Sequence, residues 1–300
     1  MPHNQAPVGR AALWMVGAIL SFSSMAIAGR EAGSSLDTFE IMTYRSFVGV
    51  IIVCVALTLT RSWNQVRIGL FSLHMIRNLA HFTGQNLWFY AVTVIPLAQV
   101  FALEFTSPLW VLLLSPLLLG ERMTRPKVVV AALGFIGALV VAQPNSGQLN
   151  VGVITAAVSA IFFALTIITT KKLTQSEQIG SILFWLTIMQ LGMGLAMAGW
   201  DGQISVPSAA TSRWLLLIGC AGLTAHFCVT KALSLAPATV VVPIDFCRLP
   251  IIALLGIVLY NENLTLTLIA GSLLILVANY FNILNAVSTK TTHPTTAKSQ

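Results

Sequence analysis

PLAQVFALEFTSPLWVLLLSPLLLGERMT (residues 96–124) and PATVVVPIDFCRLPIIALLGIVLYNENLT (residues 237–265) align without a gap at a shift of 141 positions. Glu104 falls on Asp245, Phe105 on Phe246, Pro96 on Pro237, Glu121 on Glu262 and Thr124 on Thr265. Ala91, Val100 and Leu114 meet Ala232, Val241 and Leu255 in the same register. Each copy has a proline at its start, a carboxylate eight residues later, a proline inside the apolar run (Pro108 or Pro250) and a glutamate at its far end. The chain therefore divides into two related halves, 11–142 and 150–286, followed by a polar tail, 287–300. Each half divides into five apolar spans. Five is odd, so the second copy must enter the bilayer from the opposite side, which predicts an inverted-topology repeat.

The composition requires a lipid solvent. Only 8% of the 300 residues are charged, 56% are hydrophobic and the mean hydropathy is +0.86. A water-soluble domain of this composition would expose apolar surface over most of its exterior. At about 20 residues per crossing, the expected spans are 11–29, 38–60, 75–93, 96–119, 126–142, 150–170, 179–199, 213–233, 239–260 and 264–286. The predicted fold class is thus an all-α polytopic membrane protein of ten transmembrane helices. Arg10, the apolar stretch that follows and Ala26-Ile27-Ala28 imitate a cleavable signal peptide. The span is expected to stay, because residues 11–28 have a counterpart at 152–169 and removal would break the repeat.

Basic residues orient the chain. A cytoplasmic N-terminus puts Arg10, Arg61, Arg67, Arg77, Arg122, Arg125, Lys127, Lys171, Lys172, Lys231, Lys290 and Lys298 inside, against Arg30 and Arg213 outside. That asymmetry is the positive-inside signature, and it places the C-terminus in the cytoplasm as well. The formal charge of +7 is explained by these loops, so no nucleic-acid partner is expected. Cys54, Cys220, Cys228 and Cys247 lie in apolar runs without CxxC or zinc-ligand spacing, so no metal and no cofactor is expected. Nothing matches a phosphate-binding loop either. The tail, rich in Thr, Lys and Ser, reads as disordered.

An internal proline removes one backbone hydrogen bond and clashes with the carbonyl four residues back. Both the fourth and the ninth span should therefore loosen beside their carboxylates. A charge at mid-span costs about 2.5 to 3.5 kcal/mol on insertion scales, so it faces a cavity or a partner. Four residues meet that description: Arg45, Glu104, Asp245 and Arg248. Asp245 and Arg248 stand at i,i+3 and are expected to pair, which leaves Arg45 and Glu104 to find a partner on another helix or a solute. Buried salt bridges that only fix packing are the alternative. His81 and His226 are the histidines within the spans, and either suits a proton as coupling ion. His81, Gln85 and Trp88 form a stripe on one helical face that suits a polar solute with a planar part. Glu121 and Glu262 read as helix termini, beside the capping residues Thr124 and Thr265. Gly134 with Gly137, and Gly192 with Gly194, mark close helix approaches.

Pro-Leu-Ala-Gln at 96–99, Phe105-Thr106-Ser107-Pro108-Leu109 and Leu119-Gly120-Glu121-Arg122, set in ten spans, resemble the EamA-type branch of the drug/metabolite transporter superfamily. The second half departs from that pattern with Tyr260-Asn261-Glu262-Asn263. The resemblance implies a multi-pass inner-membrane permease that works by alternating access on a small-molecule substrate. Export of an amino-acid-like solute is the favoured expectation, with import of a vitamin or nucleoside-like metabolite such as riboflavin or S-adenosylmethionine as the alternative. A membrane enzyme is a distant reading, because no nucleophile–base set or H-E-x-x-H motif exists; a non-transporting scaffold is equally distant.

Overall fold

The computed structural model describes residues 6–119, 125–142, 150–200, 202–235 and 244–291. Among them there is no strand. Helices α1 (Ala6–Ala32), α2 (Thr38–Leu59), α3 (Phe71–Val94), α4 (Leu97–Glu104), α5 (Ser107–Leu119) and α6 (Arg125–Ala142) form the first half. Helices α7 (Val151–Leu173), α8 (Ile179–Ala198), α9 (Ala209–Leu235), α10 (Arg248–Tyr260) and α11 (Leu266–Thr291) form the second. Six stretches among the described residues are long and apolar enough to cross a membrane, and 128–142, 248–260 and 266–281 are shorter apolar helices. Leu13, Leu20, Leu59, Leu117 and Leu266 are exposed on the outside, as a lipid-facing surface requires. The chain is an all-helical, multi-pass membrane protein.

α3 spans 24 residues yet is not among the six apolar stretches. The reason is its inner face, where His74, Arg77, Asn78, His81, Gln85 and Asn86 are all buried. Arg77, counted above with the cytoplasmic loops, lies in α3 at 3% exposure and donates to Asn78 Oδ1 (2.7 Å) and Thr170 Oγ1 (3.2 Å). The expected span 75–93 contains it; what the basic-residue count did not give is its burial against α7.

Local signals set several helix starts. Asp37 and Glu40 form a capping box at α2, with Asp37 Oδ1 accepting from the Glu40 amide (2.8 Å) and Glu40 Oε2 accepting from the Asp37 amide (3.1 Å). Asn150 caps α7 by accepting from the Gly152 amide at 2.8 Å. Thr265 Oγ1 accepts from the Leu268 amide at 3.2 Å, the expected cap of α11. Glu121, Thr124 and Pro237 lie outside the described residues, as does the tail beyond Thr291.

The halves interlock rather than stand side by side. α1 packs on α9 and α3 on α7, while α2 packs on α8 and α6 on α11. Glycines permit the closest of these approaches. A Cβ on Gly137 would lie 2.8 Å from the Gly271 carbonyl, and one on Gly271 would lie 2.7 Å from the Gly137 carbonyl, so α6 and α11 touch backbone to backbone. Gly194 meets Thr43, and Gly134 meets Leu109. Gly192, one of the expected contact glycines, faces open space instead.

Candidate functional site

Both proline-bearing spans break where the sequence predicts. α4 stops at Glu104 and α5 begins at Ser107, with Phe105 and Thr106 as a turn between them. Pro108 cannot donate to the Glu104 carbonyl; Ser107 Oγ donates to it instead. The Leu109 amide turns to the Thr106 carbonyl (2.9 Å), which frees the Phe105 carbonyl for Asn279 Nδ2 of α11 (2.7 Å). In the second half, Phe246 and Cys247 form the matching turn before α10, and the Leu249 amide donates to the Phe246 carbonyl at 3.2 Å. The break places Glu104 and Asp245 at helix ends rather than on continuous walls. Each carboxylate then reaches into the space between the halves.

Two polar clusters occupy that interior. In the first, Arg248 Nη2 donates to Glu104 Oε1 (2.9 Å) and to Asp245 Oδ2 (3.0 Å), and Trp88 Nε1 donates to Glu104 Oε2 (2.8 Å). The i,i+3 pair expected from sequence is present, and Glu104 finds its cation in the same arginine. The guanidinium is 4% exposed and lies among the rings of Phe22, Phe101 and Phe105, at 4.9, 4.9 and 5.3 Å from their centroids. Such cation–π contacts replace part of its lost hydration.

In the second cluster, Arg45 Nη1 donates to Gln85 Oε1 at 2.7 Å. His81 and His226 meet edge to face with ring centroids 5.0 Å apart. Both ring nitrogens of His81 are buried without a hydrogen-bond partner, as is Gln190 Oε1. A cavity of about 20 Å³, lined by Arg45, Ser46, Thr187, Gln190, Leu223 and His226, opens beside them. Phe22 separates the two clusters: its ring lies 5.8 Å from His226 on one side and against Arg248 on the other. All eight residues singled out in the sequence, Arg45, His81, Gln85, Trp88, Glu104, His226, Asp245 and Arg248, thus fall in these two neighbouring clusters. Among the described residues no group of His, Cys, Asp and Glu is arranged to hold a metal ion.

Sequence reasoning missed a third arrangement at the far end of α10. Asn261 is left-handed (φ 52°), a conformation that asparagine tolerates where glycine is usual. It occupies the position of Gly120 in the repeat. The turn folds Glu262 back over Gly256, whose missing Cβ leaves room for the carboxylate. Glu262 there pairs with Arg30, and both its oxygens accept from the Leu97 amide (3.0 Å each) at the start of α4. Arg30 also donates to the Val92 and Ile95 carbonyls and lies 4.7 Å over the Tyr260 ring. The Tyr260 hydroxyl donates to Glu31 Oε1 at 2.9 Å. This latch ties α1, α4 and α10 together. Asn279 and Gln190 were also missed; the rule applied to mid-span charges would have found them had it included amides.

Known proteins of matching sequence are transporters. The model of the EamA-like transporter family matches twice, over residues 9–143 and 150–284. An S-adenosylmethionine uptake transporter of Rickettsia conorii is 26% identical over 270 residues, 90% of this chain and 91% of its own. A riboflavin transporter of Brucella anthropi is 29% identical over 272 residues, covering 89% and 96%. A riboflavin transporter of Rhizobium johnstonii is 31% identical over 214 residues, covering 71% and 70%. One solved crystal structure superposes with a TM-score of 0.64 over 94% of this chain at 18% identity, which extends the likeness to the fold. For bacterial proteins of this kind the membrane is the inner one. The chain belongs to the EamA-like transporter family, within the drug/metabolite transporters.

Proposed function

We propose that the protein is a secondary transporter that carries a small organic metabolite by alternating access, with ten spans in two five-helix halves of opposite orientation. Both termini are cytoplasmic in this reading, and no enzymatic step is involved. The observation that carries it is the repeat-related pair of broken helices with Glu104 of one half bound to Arg248 of the other. Charge held at helix breaks between two halves is stable only if the halves stay together or a solute takes over the pairing. The packing pattern supports a two-fold relation: the shift of 141 carries α1 onto α7 and α3 onto α9, so α1 on α9 becomes α7 on α3. In the orientation set by the basic loops, the latch of Arg30 with Glu262 lies at the outer surface. This state is therefore closed to the outside.

The names of the relatives favour uptake over the export expected from sequence alone. The test is flux into proteoliposomes of S-adenosylmethionine, riboflavin and amino acids, with and without a pH gradient as the proton-coupling arm. At least one solute is expected to move, and Glu104→Gln or Arg248→Gln to impair it. Equal flux in parent and variants would remove the proposed site; no flux of any solute through folded protein would remove the transporter reading. Impermeant labelling of single cysteines beside Arg67 and Lys171 should place both on one side of the membrane; opposite sides would end the inverted topology.

A further inference from the structure

Resting on the transporter reading, we propose that the Arg45 pocket is the subsite for a carboxylate of the transported solute. Arg45 is 6% exposed and, among the described residues, its hydrogen-bond partners are the neutral Gln85 and the Met42 sulfur. Neighbouring Arg77, 3% exposed, is also held by neutral groups, Asn78 and Thr170. Among the described residues, Glu104 and Asp245 are both taken by Arg248, and the buried Glu40 of α2 accepts from the Asp37 and Ser205 amides. An excess of buried positive charge is thus left on the α2, α8 and α9 side of Phe22. A guanidinium taken out of water without a counter-charge costs several kcal/mol, so an anion that enters beside it is strongly favoured.

The pocket is shaped for such a visitor. Gly222 has no side chain, and a Cβ there would lie 2.9 Å from Arg45 Nε, so the guanidinium packs closely against α9, and Arg45 lines the cavity. Ser46, Thr187 and His226 are among the residues that line the cavity. His81, in ring contact with His226 and with both ring nitrogens unpartnered, has one donor and one acceptor to offer when a solute or water arrives. The cavity of about 20 Å³ has room for a water-sized polar group and not for a whole metabolite. In this closed state it accepts the head group alone, and the remainder of a solute needs the halves to part. An isoalloxazine with a neutral ribityl chain offers Arg45 hydrogen-bond acceptors but no negative charge, whereas an amino acid or an S-adenosyl amino acid has its carboxylate. The inferred substrate class is therefore carboxylate-bearing metabolites.

Matched ligands test the proposal on the full-length protein in detergent, by isothermal titration. The probes are S-adenosylmethionine and its decarboxylated form, methionine and methioninamide, with inorganic phosphate and chloride as competitors. The parent should bind the acid of one pair about tenfold or more tightly than its partner without the carboxylate, an energy of one charge-assisted contact. Arg45→Gln should bring that ratio to within about twofold, and Arg45→Lys should restore part of it. A purely structural arginine would instead weaken both members of the pair equally. If Arg45→Gln does not fold, the ratio in the parent and in Arg45→Lys decides. Equal binding within both pairs, no binding of either acid, or displacement only between inorganic anions would overturn the subsite. Riboflavin flux unchanged by Arg45→Lys would overturn it as well while leaving the transporter reading in place.

Discussion

Replacing Glu262 by glutamine tests the latch with the fewest other changes, because size is kept and only the charge is lost. In the parent the carboxylate accepts from the Leu97 amide with both oxygens and pairs with Arg30, and the two side chains are 9% and 15% exposed. At that burial the Coulomb attraction is little screened, and a hydrogen bond to a charged group contributes about 1.5 to 3 kcal/mol. Glutamine keeps one acceptor oxygen but turns an amide toward Arg30, so most of that contribution is lost. The expected consequence is local: the start of α4 opens about 10- to 150-fold more often, at one decade per ~1.4 kcal/mol. Hydrogen–deuterium exchange of peptides covering residues 95–100 reads this directly. Glu31→Gln, which keeps an acceptor for Tyr260 but removes its charge, should raise exchange by only about fivefold, as a loss of about 1 kcal/mol between a charged and a neutral hydrogen bond implies. Exchange in Glu262→Gln no faster than in the parent would refute the latch. Exchange raised equally along α2 and α8 would show global loosening instead.

Two further changes address packing. Asn279→Ala removes the donor to the buried Phe105 carbonyl and should destabilise the protein by about 1 to 3 kcal/mol, the cost of one unsatisfied buried acceptor; an unchanged thermal midpoint in detergent would show that water replaces it. Gly137→Ala puts a methyl 2.8 Å from a backbone oxygen that cannot rotate away, so α6 and α11 must separate, at about 1 to 3 kcal/mol for overpacking. Gly192→Ala, facing open space, is the control and should leave the midpoint within about 0.5 kcal/mol of the parent.

Much of the architecture was legible from Pro96–Thr124 and its copy because lipid leaves the backbone few options. Apolar length dictates helices, and an internal proline dictates where they fail. The breaks beside Glu104 and Asp245 followed from Pro108 and Pro250 without any knowledge of neighbours. Gly192 was expected at a helix contact and faces open space instead, because hydropathy gives a residue's depth along a helix and not the direction it faces. Glu262 was read as a terminus because its role is exerted on Arg30, 232 positions away, and no local pattern encodes that partner.

The sequence by itself determined the solvent, the helical content, the two-fold repetition and the pair of Asp245 with Arg248, since three residues of separation leave the two side chains within reach even across the turn at Phe246 and Cys247. Only the tertiary structure decided that Arg248 also takes Glu104 while Arg45 is left with an amide. It likewise decided that Asn279 reaches the Phe105 carbonyl. Those choices depend on how far each helix slides and rotates against its neighbours. That is set by small-residue contacts such as Gly137 on Gly271 and Gly222 on Arg45, summed over the whole bundle, and no stretch of the chain contains it alone.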